Sequence, residues 1–316
     1  MKISVIIATR NRKEDLIVTI DGYLAQLHPD KEIIVIDNNS NDGTPQMMKD
    51  LYPDIKYLWL PDNFDIRSMN LAIEMSSGDL IWRTDSDSHP ESPNAFTEAI
   101  EIFRNNPEVH VIATEDIEVR QGNRVWQWYP FNVDKVNIPQ GGYPANLFAG
   151  TGAVIRREVY DKIGGFWEFG FEEIDFCTRA ILAGFNVRYY PNIRTLHFAS
   201  PRDRDNPNRW IQISKQFVRY TWKFFPFWRA LGRTITIFFF QFLFAVMSRF
   251  SPLVILEGYL TMTAVSISTF RNERNVVPAT KLHDITLGVP FVKPQFKFLI
   301  QRIKGFFGAR KLKGSE

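Results

Sequence analysis

Two aspartates stand one residue apart in the stretch IWRTDSDSHPES, residues 81–92, directly after a short apolar run. Side chains alternate along a strand, but where a strand ends the chain bends, and acids at i and i+2 can converge on one point. Convergent carboxylates repel, so Asp85 and Asp87 are stable together only with positive charge between them. Hard divalent cations such as Mg2+ and Mn2+ prefer oxygen ligands of this kind and leave coordination positions for substrate phosphates. The plainer alternative is a solvated loop whose Asp and Ser side chains cap a helix beginning near SPNAF. These residues alone leave both readings open.

The elements that must position the pair narrow the choice. Across the first half of the chain the hydrophobic period switches repeatedly between strand and helix. ISVIIA is a continuous apolar run of strand length, KEDLIVTIDGYLAQL has helical spacing, EIIVID is a second buried run and TPQMMKDLY a second helix. KYLWL, RSMNLAIEMSS and DLIWRTD repeat the cycle, the helix ending near Gly78 and the last strand delivering the aspartates. Strands buried on both faces and separated by single helices form βαβ units: a parallel sheet, right-handed crossovers and helices on both sides. Ligands of such sheets gather at the carboxyl ends of the strands. Three polar clusters fall there, TRNR after the first strand, DNNSNDGT after the second and DSDS after the fourth. Three loops sharing one edge weigh against a simple capping loop.

At 316 residues, with 45% hydrophobic and 23% charged side chains, the chain can bury a sizeable core in one large domain or two, and disorder is not expected. A formal charge of +3 is too small to argue for nucleic acid, and no zinc-finger or RNA-binding signature accompanies it. One cysteine, Cys177, excludes an internal disulfide and a cysteine cage for zinc, and suits a reducing compartment. With no histidine near it in sequence, it reads as a packed small residue. The apolar run in MKISVIIATRNRKED is too short for a signal-peptide core, so export by that route is not expected.

The motifs SVIIATRNR, VIDNNSNDGT, DSD, GTGAVIRREVYDKIGGF, FEEIDFCTRAILAGFNVRYYP and LHF follow in order over about residues 3–200. Together they resemble the family 2 inverting glycosyltransferases with the GT-A fold, and most of all the rhamnosyltransferase-like, non-processive enzymes. The resemblance implies a GT-A, Rossmann-like α/β domain over residues 1–210, its mostly parallel sheet flanked by helices. A nucleotide-sugar half would reach about residue 115, with an acceptor half over 116–210. Asp37 matches the family aspartate that reads the nucleobase, while Asp42 and Thr44 are the better caps for the following helix. Thr9 and Arg10 match a nucleotide-contacting loop, and Asn39 shares the Asp37 loop. Arg67 and Asn70 match a helix near the donor, where the paired N–H groups of Arg suit a phosphate. The family usually has Gly where Asp65 stands, so backbone approach to the donor is expected to differ here.

Under the same resemblance Asp85 and Asp87 correspond to a DXD motif. Asp87 would be a direct ligand of Mn2+ or Mg2+, Asp85 would be shared between ribose and metal, and His197 of RTLHFAS would complete the metal shell. Such an ion neutralises the diphosphate as the nucleotide leaves. Direct displacement at the anomeric carbon also needs a base for the acceptor hydroxyl. FEEIDFCTRA places Glu172, Glu173 and Asp175 at a helix start, where the macrodipole favours acids. The family pattern is Glu-Asp-x-Asp, so Glu173 is one methylene longer than usual. Glu173 is the expected base, Glu172 the second candidate, and Asp175 a helix-cap or acceptor-site residue. His28, His89, His110 and His283 read as ordinary surface or core histidines.

After about residue 210 the character changes, and 211–316 reads as a helical, apolar and basic region. TITIFFFQFLFAVM, 234–247, is fourteen residues long, and SRFSP interrupts it before LVILEGYLTMTAV. A bilayer span needs about twenty apolar residues, so a hairpin dipping into one leaflet or a membrane-facing platform is expected. Between Lys293 and Lys313, seven Lys or Arg and no acid are interleaved with phenylalanines, a second membrane signal. NPNRW, 206–210, bears only a faint likeness to the QxxRW motif of processive synthases, with Asn206 replacing the glutamine. The expected activity is metal-dependent transfer, with inversion, of a sugar from a UDP-, dTDP- or GDP-linked donor to a glycan or lipid-linked acceptor. Surface polysaccharide or glycoconjugate synthesis, in the cytoplasm on the inner face of the cell membrane, is the expected setting. Alternatives are a membrane-anchored polyprenyl-phosphate sugar transferase and a non-catalytic nucleotide-sugar binder. A nucleotidyltransferase is a further rival, but it would want a Gly-rich phosphate loop where ATRNRKED stands.

Overall fold

A computed structural model of the chain describes residues 1–122, 124–125, 132–199 and 206–287. The chain divides into two compact units, Met1–Arg202 and Asp203–Glu316, slightly before the change of character near residue 210.

In the first unit β1 (Ile3–Thr9), β2 (Lys31–Asp37), β3 (Lys56–Trp59) and β4 (Leu80–Asp85) alternate with α1 (Lys13–Leu24), α2 (Thr44–Leu51) and α3 (Met69–Met75), the last entered through a 3-10 turn over Asp65–Ser68. Next come β5 (Ser88–Pro90), α4 (Ala95–Asn105), β6 (Val109–Glu118), and the short β7 (Arg124–Val125) and β8 (Tyr143–Pro144). β9 (Ala153–Arg156), α5 (Arg157–Ile163), α6 (Glu172–Leu182) and β10 (Asn186–His197) complete the unit. The strands form one sheet in the order β3-β2-β1-β4-β9-β6-β10-β5, with β7 beside β6 and β8 beside β10. β3, β2, β1 and β4 are parallel, as their buried apolar runs require, and β6 pairs parallel with β10. β9 runs antiparallel to both β4 and β6 and joins the two halves.

Trp82 commits β4 to its place. Its side chain is fully buried against Tyr23 of α1 and Phe96 of α4, with ring centroids 6.1 and 5.0 Å away. Burial of a large apolar side chain stabilises by about 1.5–3 kcal/mol. Because strand side chains alternate, Arg83 faces the other side of the sheet.

Register gathers the polar loops. Thr9 lies opposite Asp37 and Ala8 opposite Asp85, so the end of β1 stands between the two acids. β10 ends with His197 across from Glu118 of β6 and from Ser88 of β5. Since β5 begins directly after Asp87, this pairing sets His197 beside the second aspartate, and Phe198 N–H donates to the Asp87 carbonyl at 2.8 Å. The aspartates do not cap α4, which starts after Asn94, whose N–H donates to Ser92 Oγ at 3.1 Å.

The second unit is helical, with α7 (Pro207–Phe224), α8 (Phe227–Met247), α9 (Pro252–Asn272) and α10 (Leu282–Thr286). NPNRW is a helix start: Asn206 Oδ1 accepts Asn208 N–H at 2.8 Å. Trp210 packs so closely on α9 that a Cβ added to Gly258 would lie 2.3 Å from its ring. α8 and α9 are 21 residues each, long and apolar enough to cross a membrane by length and composition. This corrects the expectation of two short pieces. The helix continues N-terminally through FWRALGRT, which holds no proline, and ends only at SRFSP. Each is about 30 Å long, the depth of a bilayer's hydrocarbon core. The basic tail from Lys293 to Lys313 lies outside the described residues.

Candidate active site

The loops after β1 and β2 are locked to each other by hydrogen bonds. Asn11, in the left-handed region at φ 51°, accepts Asn41 N–H at 2.8 Å, and its own N–H donates to Ser40 Oγ at 2.8 Å. Asp42 accepts Lys13 N–H at 3.0 Å and the Thr44 N–H and hydroxyl at 3.1 and 2.6 Å, so one acid serves the starts of both α1 and α2. Thr9 is buried, and its hydroxyl has no hydrogen-bond partner among the described residues. A buried hydroxyl at a strand end in that condition is a candidate ligand contact. Asn39, at φ 65°, is half-buried beside Asp37, while Arg10 and Arg67 are exposed on the rim. Asp65 keeps φ 55°, a conformation that Gly enters freely and Asp tolerates, so the turn retains the backbone that Gly would give it.

Two residues expected to meet the donor are engaged within the fold. Asp37 is buried, with one oxygen accepting Ser40 N–H at 2.8 Å and the other the Tyr57 hydroxyl at 2.6 Å, which makes it the anchor of the second loop. Asn70 spends its amide on the Phe166 backbone, donating to the carbonyl and accepting from the N–H, both at 2.8 Å. It ties α3 to the segment that leads into α6.

The acids are organised by Arg83, a residue that the sequence motifs passed over. Its side chain is 1% exposed; Nη1 lies 3.0 Å from Asp85 Oδ1 and donates to the Gly150 carbonyl, and Nη2 lies 3.7 Å from Glu173 Oε1. Burial works against its charge, but Asp85, Glu173 and Glu172 outweigh that and raise its pKa. A Cβ added to Gly150 would sit 2.5 Å from Arg83 Nη1, 2.8 Å from Asp85 Oδ2 and 2.9 Å from Glu173 Oε1. The acid at the end of β4 and the acid at the start of α6 therefore converge on one point beside Gly150, packed too closely to admit a Cβ. A charged residue inside a buried strand run was the available signal, because a buried guanidinium requires carboxylate partners.

Neighbouring acids of α6 occupy different environments. Glu172 is buried, accepts Gly170 N–H at 2.6 Å, and is pushed up to about 8 by burial and then by Glu173. It therefore releases its proton at a higher pH than an ordinary glutamate. Glu173 keeps 24% of its side chain exposed beside Arg83. Asp175 lies 2.6 Å from Arg179 Nε, and Arg179 donates onward to the Ile163 and Gly165 carbonyls, so this pair braces α6. Cys177 is fully buried and its thiol is pushed well up by burial, as a packed residue should be.

Asp87 and His197 fit a divalent ion. Asp87 is buried; its Oδ2 takes the guanidinium of Arg12, and its Oδ1 lies 3.7 Å from His197 Nε2. Arg12, not Arg10, is thus the arginine of TRNR that reaches the aspartates. His197 Nδ1 faces Asp116 at 3.5 Å and Glu118 at 3.4 Å. Burial alone would lower the imidazole pKa, but Asp116, Asp87 and Asp85 outweigh it and raise it. One ring nitrogen toward an acid and the other backed by carboxylates is the arrangement of a metal-ligating histidine. Ligands of one octahedral Mg2+ stand about 3 Å apart, so a small shift lets Asp87 and His197 share an ion. Asp85 is pushed up by its packed surroundings, with Arg83 opposing and Asp87 adding, yet its side chain keeps 41% exposure toward the opening. Among the described residues no three such side chains are already gathered as a metal centre, so donor phosphates would have to complete the shell.

Residues 4–164, more than half of the chain, match the profile of glycosyl transferase family 2. The chain belongs to glycosyl transferase family 2. An uncharacterized glycosyltransferase from Nostoc sp. is 30% identical over 174 residues, covering 52% of this chain and 53% of the relative, so the chain spans about half the length of that curated relative. A mannosyltransferase from Pyrobaculum calidifontis in complex with GDP-Man and Mn2+ is similar over 100% of this chain and 88% of its own, with TM-score 0.56 and 17% identity. S. aureus TarS 1–349 in complex with UDP-GlcNAc is similar over 86% of this chain and 91% of its own, with TM-score 0.54 and 16% identity. At these identities the likeness shows a shared fold, a GT-A-like sheet flanked by helices and followed by a helical region.

Two expectations follow for this member of glycosyl transferase family 2. Gly150→Ala should displace the converging groups and cut donor turnover at least tenfold while the protein stays folded, since misplacement by about 1 Å costs up to about 10²-fold; turnover at the wild-type level would contradict the convergence. Glu172 is raised above its ordinary 4.5, so between pH 4.5 and about 8 the folded chain binds a proton that the unfolded chain has lost, and stability falls as pH rises through that window. Glu172→Gln should flatten this fall in unfolding midpoint against pH. A slope unchanged by the substitution would place the proton elsewhere.

Proposed function

We propose that this glycosyltransferase moves a sugar from a nucleotide-sugar donor to an acceptor hydroxyl by single displacement with inversion, with Glu173 as the base. The convergence of Asp85 and Glu173 beside Gly150 is the observation that carries the reading, because it brings a donor-side acid and an acceptor-side acid to one reacting position. Glu173, partly exposed and beside a fixed positive charge, can accept the hydroxyl proton as the new bond forms. Glu172, whose burial favours the protonated form, leaves Glu173 as the acid better suited to carry the charge. Thr9, Asn39, Arg10 and Arg67 line the edge that would receive the nucleotide, with Arg12 steadying Asp87. Asp87 and His197, with Asp85 beside them, would hold Mn2+ or Mg2+, which supplies Lewis-acid neutralisation of a diphosphate leaving group.

The GDP-Man and UDP-GlcNAc complexes of the two structural neighbours support a nucleoside-diphosphate sugar as the donor class. The paired apolar helices α8 and α9 favour a lipid-linked acceptor and a place in or on the cell membrane, with the first unit on its inner face, in surface glycan or glycoconjugate synthesis.

Glu173→Gln keeps size and hydrogen bonding but cannot take a proton. With a panel of nucleotide sugars and Mn2+, it should leave donor affinity nearly unchanged and lower transfer by roughly 10²–10⁴. Loss of transfer in Glu172→Gln with Glu173→Gln active would exchange the two roles. Normal transfer in both variants would overturn the carboxylate-base mechanism.

A further inference from the structure

The first unit carries a polar groove that shares no residue with the candidate active site. Its volume is about 400 Å³, against roughly 30 Å³ for one water, so it has room for a small molecule and not only for an ion. One wall is α4, where Glu98, Glu101, Ile102 and Asn105 recur at i, i+3, i+4 and i+7 and share a helix face. A polar face alone would be ordinary solvated surface, but here a second wall stands against it. Asn192 enters that wall because β10 breaks register with β6: Tyr190 lies opposite Thr114 and Arg194 opposite Glu115, so residues 191–193 are extra. A bulge of this kind re-aims side chains, and it buries Ile193 in the core while leaving Asn192 exposed. Gln140 is clamped to the same stretch. Its carbonyl accepts the Tyr190 hydroxyl at 3.1 Å, and a Cβ added to the neighbouring Gly142 would lie 2.6 Å from the Tyr190 ring. Asn106, 5% exposed, closes the end of α4: its Nδ2 donates to the Ile102 carbonyl at 2.9 Å, while its Oδ1 accepts nothing from the described residues.

The lining selects a class of ligand. The side chains of Glu101, Asn105, Gln140 and Asn192 make no hydrogen bond or ion pair with the described residues. Carboxylates accept hydrogen bonds, and carboxamides both donate and accept. Sugar hydroxyls also do both, so a glycan can satisfy each of these groups. None of the lining residues is basic, which disfavours a phosphate or another anion, and Ile102 alone offers too little apolar surface for a lipid chain. The groove also has a direction. α4 begins just after β5, next to Asp87, and ends before the amino end of β6, whose ten residues run roughly 30 Å to Glu118 beside His197. An extended chain lying along α4 therefore has one end toward the site. We propose that this groove binds the non-reacting part of a neutral glycan acceptor, an inference that rests on the glycan acceptor proposed above.

The test is calorimetric titration of the full chain in detergent with neutral tetrasaccharides of glucose, galactose, mannose and N-acetylglucosamine, and with tetragalacturonate as the anionic probe. At least one neutral tetrasaccharide should bind saturably, and tetragalacturonate should not. Glu101→Ala combined with Asn192→Ala removes two exposed side chains that have no part in the catalytic machinery. It should weaken the neutral binding at least tenfold, the effect of losing two hydrogen bonds, while donor hydrolysis with Mn2+ and the unfolding midpoint stay at wild-type values. Asn192→Ala alone should give part of the loss. Binding by none of the four neutral tetrasaccharides, or binding that the double substitution leaves unchanged, overturns the groove as a glycan site and leaves sugar transfer standing. Preference for tetragalacturonate overturns the neutral class. Binding of Ca2+ that Glu98→Gln with Glu101→Gln abolishes, without binding of any tetrasaccharide, makes the groove a cation site and overturns the proposal. Groove-dependent binding without transfer to any glycan would instead overturn the acceptor reading and keep the groove.

Discussion

A guanidinium buried beneath the end of a strand is the interaction on which the candidate site depends. Removing Arg83 from water costs several kcal/mol unless carboxylates and carbonyls surround it in good geometry. Asp85, Glu173 and the Gly150 carbonyl provide that surround, and in doing so they lose the freedom to point elsewhere. Trp82, packed on the opposite face of the sheet, prevents the strand from sliding to relieve the buried charge. A single residue thereby fixes the spacing between the acid of the strand end and the acid of α6. These acids come from segments about ninety residues apart in the chain, on either side of the antiparallel β9.

A second framework holds the other aspartate. β5 turns back directly after Asp87 and pairs with the end of β10, and β10 pairs with the acidic end of β6. His197 is therefore gripped between Asp87 on one side and Asp116 and Glu118 on the other by strand register, not by loop conformation. Sites built on strand ends hold their geometry better than sites built on loops. The loops after β1 and β2 reach comparable order through Asn11, Ser40 and Asp42, which bond one another's backbones.

Much of this was legible in the residues. Four buried runs with single helices between them place three polar loops at one sheet edge, and the strand that delivers Asp85 is visible from its apolar stretch alone. What could not be read is which tertiary partners these side chains have within the fold. Asp37 and Asn70 have the chemistry to meet a donor, and they also bond Tyr57, Ser40 and the Phe166 backbone. Arg12 rather than Arg10 meets Asp87 because Asn11 adopts a left-handed turn that periodicity does not encode. β9 was invisible as a strand, because AVIR is too short to show a period. The two acids Glu172 and Glu173 look alike in sequence, and only burial separates them. α8 was underestimated because the apolar run was counted instead of the helix, which carries its arginines at the polar end.

The account stands or falls on whether Arg83 acts through Glu173. A double-mutant cycle on transfer rate, combining Arg83→Met with Glu173→Gln in variants shown to be folded, measures that coupling directly. If Arg83 works by placing the base, Arg83→Met should add little loss once Glu173 can no longer accept a proton. Losses that multiply across the two substitutions would mean that the residues act independently, and the shared point beside Gly150 would not be the reacting position.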